Sequence, residues 1–146
     1  MFDRIRKLWR RKDDSGPGLE VADPQLFIYI VIPGDIQPIA RGEQFEDPLE
    51  EALSEAGLGR ITGGGSQLDD PYPDGRSRVE FCGIDVDVSD RASALILLRR
   101  KLIELAAPDG TELHYTEGKS PLRDSLGRGA WTERQLRTVM HPGFGV

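Results

Sequence analysis

The sequence predicts an α+β fold of the ferredoxin-like type, in which a four-stranded antiparallel sheet carries two helices on one face. Two observations lead to this prediction. Apolar stretches and turn residues follow one another in the order strand, helix, strand, strand, helix, strand, which is the split βαβ pattern. The first and third strands are the longest, and they are the central strands of such a sheet. The 146 residues suit one domain with its own apolar core.

The first strand, Leu26 to Ile32, is the clearest element of the chain because its residues are β-branched, aromatic or leucine. It does not alternate between apolar and polar residues, so we expect apolar material on both of its faces. The helices cover one face. Three covers stay open for the other face: a C-terminal segment with Trp131, Leu136 and Val139, a second copy of the chain, or a different protein.

Two helices are predicted from capping residues and apolar stripes. Asp47, followed by Pro48, begins the first helix, and Gly57 ends it in a left-handed cap. Asp90 caps the second helix, whose wide apolar face runs from Ala94 to Leu105.

The remaining elements are shorter or interrupted. Arg60 to Thr62 is a short strand, and a long strand runs from Arg78 to Ser89. Within the long strand the apolar residues change parity, which predicts a β-bulge at Cys82-Gly83. Thr111 to Thr116 is the last clear strand, and a short helix is predicted from Trp131 to Met140.

The chain is therefore divided into three parts. Residues 1–24 form a basic N-terminal segment and linker, residues 25–117 form the α+β domain, and residues 118–146 form a C-terminal extension. The boundaries follow the Gly- and Pro-containing stretch before the first strand and the polar, Gly-rich composition after the last one.

Charge is unevenly distributed along the chain. The net charge is −6, yet residues 1–12 carry six basic side chains and one acidic one, a net charge of +5. The other residues hold 13 basic and 24 acidic side chains, a net charge of −11. Such an acidic body does not favour binding of a nucleic-acid backbone by the folded domain.

Residues 1–12 also place apolar side chains at helical spacing, at Phe2, Ile5, Leu8 and Trp9. A basic amphipathic segment of this kind fits a membrane surface or a partner protein. A frayed chain start, or a helix docked on the acidic body of the domain, explains the same residues.

Cysteine content and the lack of a signal-peptide pattern favour a cytoplasmic location. Cys82 is the single cysteine, so no internal disulfide forms. The basic start is not followed by an apolar run, and the longest apolar stretch, Leu26 to Pro33, is too short to cross a bilayer.

Gly63, Gly64, Gly65 and Ser66 follow a strand and form a candidate ligand loop, because backbone N–H groups free of side chains can hold an anion. A phosphate loop, however, needs a Lys and a helix after its glycines. This chain has Asp69-Asp70-Pro71 instead. A flexible turn or a bulge between two strands is the alternative interpretation.

Glu80, Asp85 and Asp87 are the candidate partner-binding residues. Asp85 and Asp87 lie two positions apart in a strand and therefore share one face. With Glu80 they form an acidic patch for a basic partner, and a solvated strand face is the simpler alternative. A divalent cation could use the same carboxylates, but a metal site needs more ligands, so we expect no metal and no cofactor.

No catalytic residues are assigned. The chain has two histidines, His114 in the last strand and His141 near the end, and nothing in the sequence places either beside a nucleophile. Cys82 lies among strand-core residues and close to acidic positions, so an unreactive buried thiol is expected.

Several motifs lie close together in the sequence: Arg41-Gly42-Glu43, the Asp47-Pro48 helix entry, the run Gly63-Gly64-Gly65, and later Ile84-Asp85-Val86-Asp87. In these motifs residues 26–117 resemble a group of small uncharacterised bacterial proteins of ferredoxin-like type. The resemblance implies that fold, a bacterial origin and an immunity-type or partner-binding role. It implies no catalytic residues.

The leading hypothesis is a non-enzymatic binding protein whose acidic strand face contacts a protein partner, for example as an immunity-type inhibitor. Two alternatives stay open: a small-ligand sensor or regulatory domain that dimerises, and a metal-dependent hydrolase that uses Asp85 and Asp87. The expected partner is another protein or a second copy of the chain. Nucleic acid is not expected to bind the folded domain, and a membrane surface could be contacted through residues 1–12.

Overall fold

The computed structural model describes residues 23–138, which form one antiparallel sheet of six strands in the spatial order β2-β3-β1-β4-β5-β6. The strands are β1 (Phe27–Pro33), β2 (Gly59–Asp69), β3 (Arg78–Val88), β4 (Glu112–Glu117), β5 (Ser120–Gly127) and β6 (Ala130–Leu136). The helices are α1 (Pro38–Arg41), α2 (Asp47–Ala56) and α3 (Arg91–Glu104). A 3₁₀ turn, Pro24–Leu26, precedes β1, and a π-helical turn, Gly42–Glu46, joins α1 to α2.

Several predicted features fall outside this range. The amphipathic stretch at residues 1–12, most of the linker after it, and Val139, Met140 and His141 are not among residues 23–138. Within 23–138, no helix has both the length and the apolar character that crossing a membrane would require.

The prediction of a four-stranded ferredoxin-like sheet is wrong, because the chain adds two further strands after β4. The sequence predicts no strand after Glu117 and a helix from Trp131 onward, whereas β5 and β6 form a hairpin that extends the sheet. The sequence of β5 does not show the apolar alternation of a strand, because polar residues occupy several of its positions. Leu122, Asp124 and Leu126 are all buried at alternate positions, but Asp124 reads as a surface residue in the sequence.

β1 is an interior strand, with β3 on one side and β4 on the other. Ile28, Ile30 and Ile32 point to one face, where they are completely buried in a core shared with α2 and α3. Burying such a side chain contributes roughly 1.5–3 kcal/mol. The helices supply the facing core residues, which include Leu49, Leu53, Leu98 and Leu102.

The first long helix begins earlier than the sequence predicts. Helical backbone starts at Pro38 and runs through Gly42–Glu46 into α2, so Asp47 does not cap a helix start. Pro48 has no N–H and cannot continue a regular α-helical ladder, and the residues just before it form the π-helical turn. The sequence shows the proline but not the compensating turn.

The predicted end of the first helix and start of the second are confirmed. Gly57 follows α2 with a left-handed backbone, φ 66°, which glycine adopts without strain. Asp90 precedes α3, and its carboxylate accepts the Ser93 N–H at 3.0 Å.

The glycine-rich segment is part of a strand and not a turn. β2 runs through Gly63 to Ser66 and pairs with β3 along its length. Its register with β3 skips Thr62 in β2 and Glu80 in β3. The predicted bulge in β3 therefore lies at Glu80 and not at Cys82-Gly83.

Candidate functional site

The face of the sheet opposite the two long helices, here called the second face, carries most of the ionisable side chains of the sheet centre. Residues directly opposite each other in an antiparallel pair lie on the same face. Tyr29 of β1 is opposite Asp85 of β3 and His114 of β4, and Phe27 is opposite Asp87. The register places these residues on the second face: Phe27, Tyr29, Val31, Asp85, Asp87, Glu112, His114 and Arg123.

Asp85 and Asp87, two of the three predicted partner-binding residues, lie side by side on the second face and are half-buried. Gly63 is opposite Asp85 in β2, and a Cβ at residue 63 would lie 3.0 Å from Oδ2 of Asp85. Tyr29 covers Gly83, where any side chain would collide with the phenol ring. Burial raises the pKa of Tyr29, and the charge of Asp85 raises it further. The phenol therefore stays protonated at neutral pH.

A second cluster, which the sequence does not predict, lies next to these residues. His114 Nε2 is 2.7 Å from Glu112 Oε1, and Arg123 donates from Nη1 to Glu112 Oε2 at 3.0 Å. The rings of His114 and Tyr29 meet edge to face, with their centroids 5.8 Å apart. The cluster thus connects β1, β4 and β5.

His114 is 4% exposed, and its Nδ1 has no hydrogen-bond partner within residues 23–138. Burial lowers the pKa of His114, and the hydrogen bond and charge of Glu112 oppose that shift. The contact with Glu112 assigns the ring proton to Nε2 and leaves a lone pair on Nδ1. Because Nδ1 is buried, it is not placed to act as a base on a molecule arriving from solvent. An unpaired buried acceptor costs about 1–3 kcal/mol.

Arg137, which follows β6, is buried close to this cluster. Its Nε donates to the Leu122 carbonyl at 3.2 Å, and its Nη2 donates to the Thr116 hydroxyl at 3.1 Å. Burial lowers the pKa of Arg137, yet a guanidinium stays charged in proteins. Its positive charge contributes to the lowered pKa of His114.

Trp131 and Leu136 lie on the helix side of the sheet. Trp131 is opposite Leu126, packs against the core and donates its Nε1–H to the Arg99 carbonyl at 3.0 Å. Leu136 lies on the same side and is 69% exposed. These two residues therefore do not cover the second face of β1, contrary to one of the predicted covers, and Val139 is not among the residues that the structure describes.

Glu80, the third predicted partner-binding residue, lies apart from the other two. It occupies the bulge near the start of β3 and is exposed. Asp85 follows it by five residues, which is about 17 Å along a strand. The acidic site on the second face consequently contains Asp85 and Asp87 without Glu80.

The predicted ligand loop, Gly63 to Ser66, packs against the turn before α2. Arg41 donates from Nε to Glu46 Oε2 at 2.7 Å and from Nη1 to Ser66 Oγ at 3.0 Å. Gly64 leaves room for the Glu46 carboxylate, which a side chain at residue 64 would displace. Burial raises the pKa of Glu46, although the charge of Arg41 lowers it. Gly63 and Gly64 thus serve close packing, Gly65 has no atom near its missing side chain, and the segment is a strand and not a loop around an anion.

The structure brings together few groups that suit metal binding or nucleophilic chemistry. Within residues 23–138, no three His, Cys, Asp or Glu side chains are grouped so that they could hold a metal ion. Cys82 is completely buried in the core, and burial raises the pKa of its thiol. His141, the other predicted histidine, lies beyond the described range.

The cluster of Glu112, His114 and Arg123 was not predicted, although the sequence pattern indicates part of it. Glu112 and His114 are two positions apart in a predicted strand, so their shared face follows from the period of a strand. The sequence could not group Arg123 with this pair. Arg123 lies on β5, and the polar residues of β5 gave no prediction of a strand.

Comparison of the chain with protein-family models, with curated proteins and with solved structures gives no match. The resemblance to small bacterial proteins therefore stays a prediction. Function has to be argued from the chemistry of the second face.

Proposed function

We propose that the protein binds a basic segment of a partner protein through Asp85 and Asp87 and acts without catalysis. One observation carries the proposal: both carboxylates lie on one sheet face beside Tyr29, which is half-buried like them, whereas Phe27 opposite Asp87 is buried. Lys and Arg side chains have an apolar stem and a charged end. A surface on which carboxylates lie next to the Tyr29 ring suits both parts of such a side chain.

The distribution of charge supports the same partner class. Outside residues 1–12 the chain has 13 basic and 24 acidic side chains, a net charge of −11. A field of this sign attracts a basic partner and raises the association rate. Asp85 and Asp87 are half-buried, so an ion pair formed with either is screened less than a fully exposed pair.

An immunity-type inhibitor is the form of this function that we favour. Such a protein blocks a toxin or an enzyme by occupying its basic substrate site, and paired carboxylates can take the place of substrate phosphates there. A cytoplasmic location belongs to the same proposal, because a chain with the single cysteine Cys82 does not depend on an oxidising compartment.

The test compares three forms of the full chain: wild type, Asp85→Asn/Asp87→Asn and Glu51→Gln/Glu55→Gln. The last form is the matched control, because it also removes two carboxylates, which are exposed on α2 at the other side of the sheet. Each form serves as bait in the source cells. The captured partner is then purified and titrated against all three forms at low and at high salt.

Wild type and control are expected to capture the same stoichiometric partner. The Asp85→Asn/Asp87→Asn form should bind it at least about tenfold more weakly, mainly through slower association at low salt. Circular dichroism of each form checks that the fold is intact. Equal binding by the three forms, or no stoichiometric partner at either salt concentration, contradicts the proposal.

A further inference from the structure

β2 forms one edge of the sheet, and within the described range it pairs with β3 alone. Its residues from Gly64 to Asp69 are all exposed. The outer side of an edge strand presents N–H and C=O groups that can pair with one more strand. The edge at β2 therefore provides a pairing surface unless the sequence protects it.

The protection usual for such an edge consists of charged residues, prolines or a covering element. The stretch from Ile61 to Leu68 contains no charged residue and no proline, and Leu68 is 57% exposed. One end is covered, where the Ile61 N–H donates to Glu50 Oε1 at 2.7 Å. In the middle of the strand Arg41 contacts the Ser66 side chain, and Glu46 lies over Gly64. Within residues 23–138 neither of them bonds to the main-chain groups of Gly63 to Ser66, which stay available for pairing.

The two ends of β2 carry opposite charges. Arg60 lies near its start, and Asp69 and Asp70 lie at its end. On β3, Asp87 is opposite Arg60, and Arg78 Nε is 3.9 Å from Asp69 Oδ2, but Arg60 and Asp69 are both exposed and can contact a second chain as well. If two copies of β2 run antiparallel about a two-fold axis near Gly64-Gly65, Arg60 of each copy comes next to the aspartates of the other. The glycines place no side chains at the axis. The strand is thus complementary to itself, although the chain as a whole is acidic.

We propose that β2 pairs with β2 of a second copy of this chain, which joins two six-stranded sheets into one continuous sheet. Main-chain hydrogen bonds would form along the uncharged middle of the strand, and ion pairs would form at both ends. Arg60 lies opposite Asp87 and Gly63 lies opposite Asp85, so the two surfaces adjoin. Strand pairing at β2 needs neither carboxylate, however, so the inference does not depend on the proposed function.

The first test measures the mass of the full chain by light scattering over a series of protein concentrations. Wild type is expected to be a dimer. Gly65→Lys places two ammonium groups together at the two-fold axis, and a Cβ at residue 65 meets no atom within 4 Å, so the fold accommodates the change. Gly127→Lys at the end of β5 is the control, since that position is equally open. We expect Gly65→Lys to be a monomer and Gly127→Lys to remain a dimer.

Charge reversal tests the antiparallel arrangement itself. Arg60→Asp and Asp69→Arg should each raise the dissociation constant of the dimer by about tenfold or more, while the double variant should restore dimerisation because the charges are exchanged. Misfolding of the single variants cannot produce that recovery. A wild-type monomer at every concentration, a dimer that Gly65→Lys leaves intact, or a double variant without recovery overturns the proposal.

Discussion

Arg99 of α3 donates its Nε–H to Oδ2 of Asp124 at 2.8 Å and thereby ties the helix layer to β5. Asp124 is completely buried. Its Oδ1 accepts the Tyr115 hydroxyl at 2.7 Å and the Arg134 N–H at 2.9 Å. One carboxylate therefore joins α3, β4, β5 and β6, and it satisfies donors that would otherwise be buried without an acceptor.

Replacing Asp124 by Ala is expected to lower the free energy of unfolding by about 3–5 kcal/mol, because removing one partner of a buried ion pair leaves the other uncompensated. Urea unfolding followed by circular dichroism measures the change. Glu133→Gln is the matched control: Glu133 contacts the same Arg99 at 3.7 Å but is half exposed, so its loss should cost no more than about 1 kcal/mol. Similar losses of unfolding free energy for both variants would contradict the prediction that the buried Asp124 stabilises the fold more than the exposed Glu133.

The contrast between β1 and β5 shows how far the sequence determines the fold. β1 was predictable because seven apolar residues in a row can only be an interior strand or a buried helix, and β-branched residues favour the strand. β5 was not, because Asp124 becomes a core residue through donors from Arg99, Tyr115 and Arg134. Arg99 lies on a helix distant in sequence, and Arg134 lies on a strand that the sequence does not predict. A buried polar residue cannot be recognised before its partners are placed.

Gly65 of β2 and Gly83 of β3 are expected to differ sharply in their tolerance of a methyl group. Gly83→Ala forces a Cβ into the Tyr29 ring and should lower the free energy of unfolding by about 1–3 kcal/mol. Gly65→Ala meets no neighbouring atom and should raise it by up to about 1 kcal/mol, since alanine loses less backbone entropy on folding.

Thermal unfolding of these two variants, at one protein concentration and beside wild type, checks the order of stabilities. The difference absorbance spectrum of each variant against wild type adds a local readout, because Gly83→Ala should perturb the Tyr29 band and Gly65→Ala should not. If Gly83→Ala proves as stable as wild type, the ring does not lie over residue 83 in solution.

Stability should fall as the pH decreases below about 6.5, because burial lowers the pKa of His114 from its ordinary value of 6.5. The unfolded chain then binds a proton more readily than the folded one, so acid favours unfolding until the pH reaches the lowered pKa. Glu112 on the same strand opposes the shift, whereas Arg137 and Arg123 reinforce it.

The measurement is the urea midpoint of wild type and His114→Gln between about pH 7 and pH 5. Wild type should lose stability over this range more steeply than the variant. Glu46 acts in the opposite sense, since burial raises the pKa of that carboxyl, but it is present in both proteins and cancels in their difference. Parallel curves for the two proteins would mean that His114 does not titrate with folding.

The candidate site was predictable to the extent that local periodicity determines it. Asp85 and Asp87 share a face because the side-chain period of a strand is two, and the structure places them so. Glu80 was grouped with them wrongly, since the position of the bulge depends on how β3 pairs with β2. Pairing between strands is a tertiary property, and the parity change in the sequence shows that a bulge exists without showing where.

Cys82 is expected to resist thiol reagents in the folded protein. The side chain is completely buried between the sheet and the helices, and burial raises the pKa of its thiol, so little reactive thiolate is present. Ellman's reagent should modify Cys82 at least about 100-fold more slowly in buffer than in urea, because reaction requires the core to open.

Ser54→Cys, on the exposed side of α2, supplies the comparison: it adds one thiol that should react at once in the folded protein. Rapid reaction of wild-type Cys82 in buffer would contradict the packing of β3 against the helices, and with it the assignment of Asp85 and Asp87 to the opposite face.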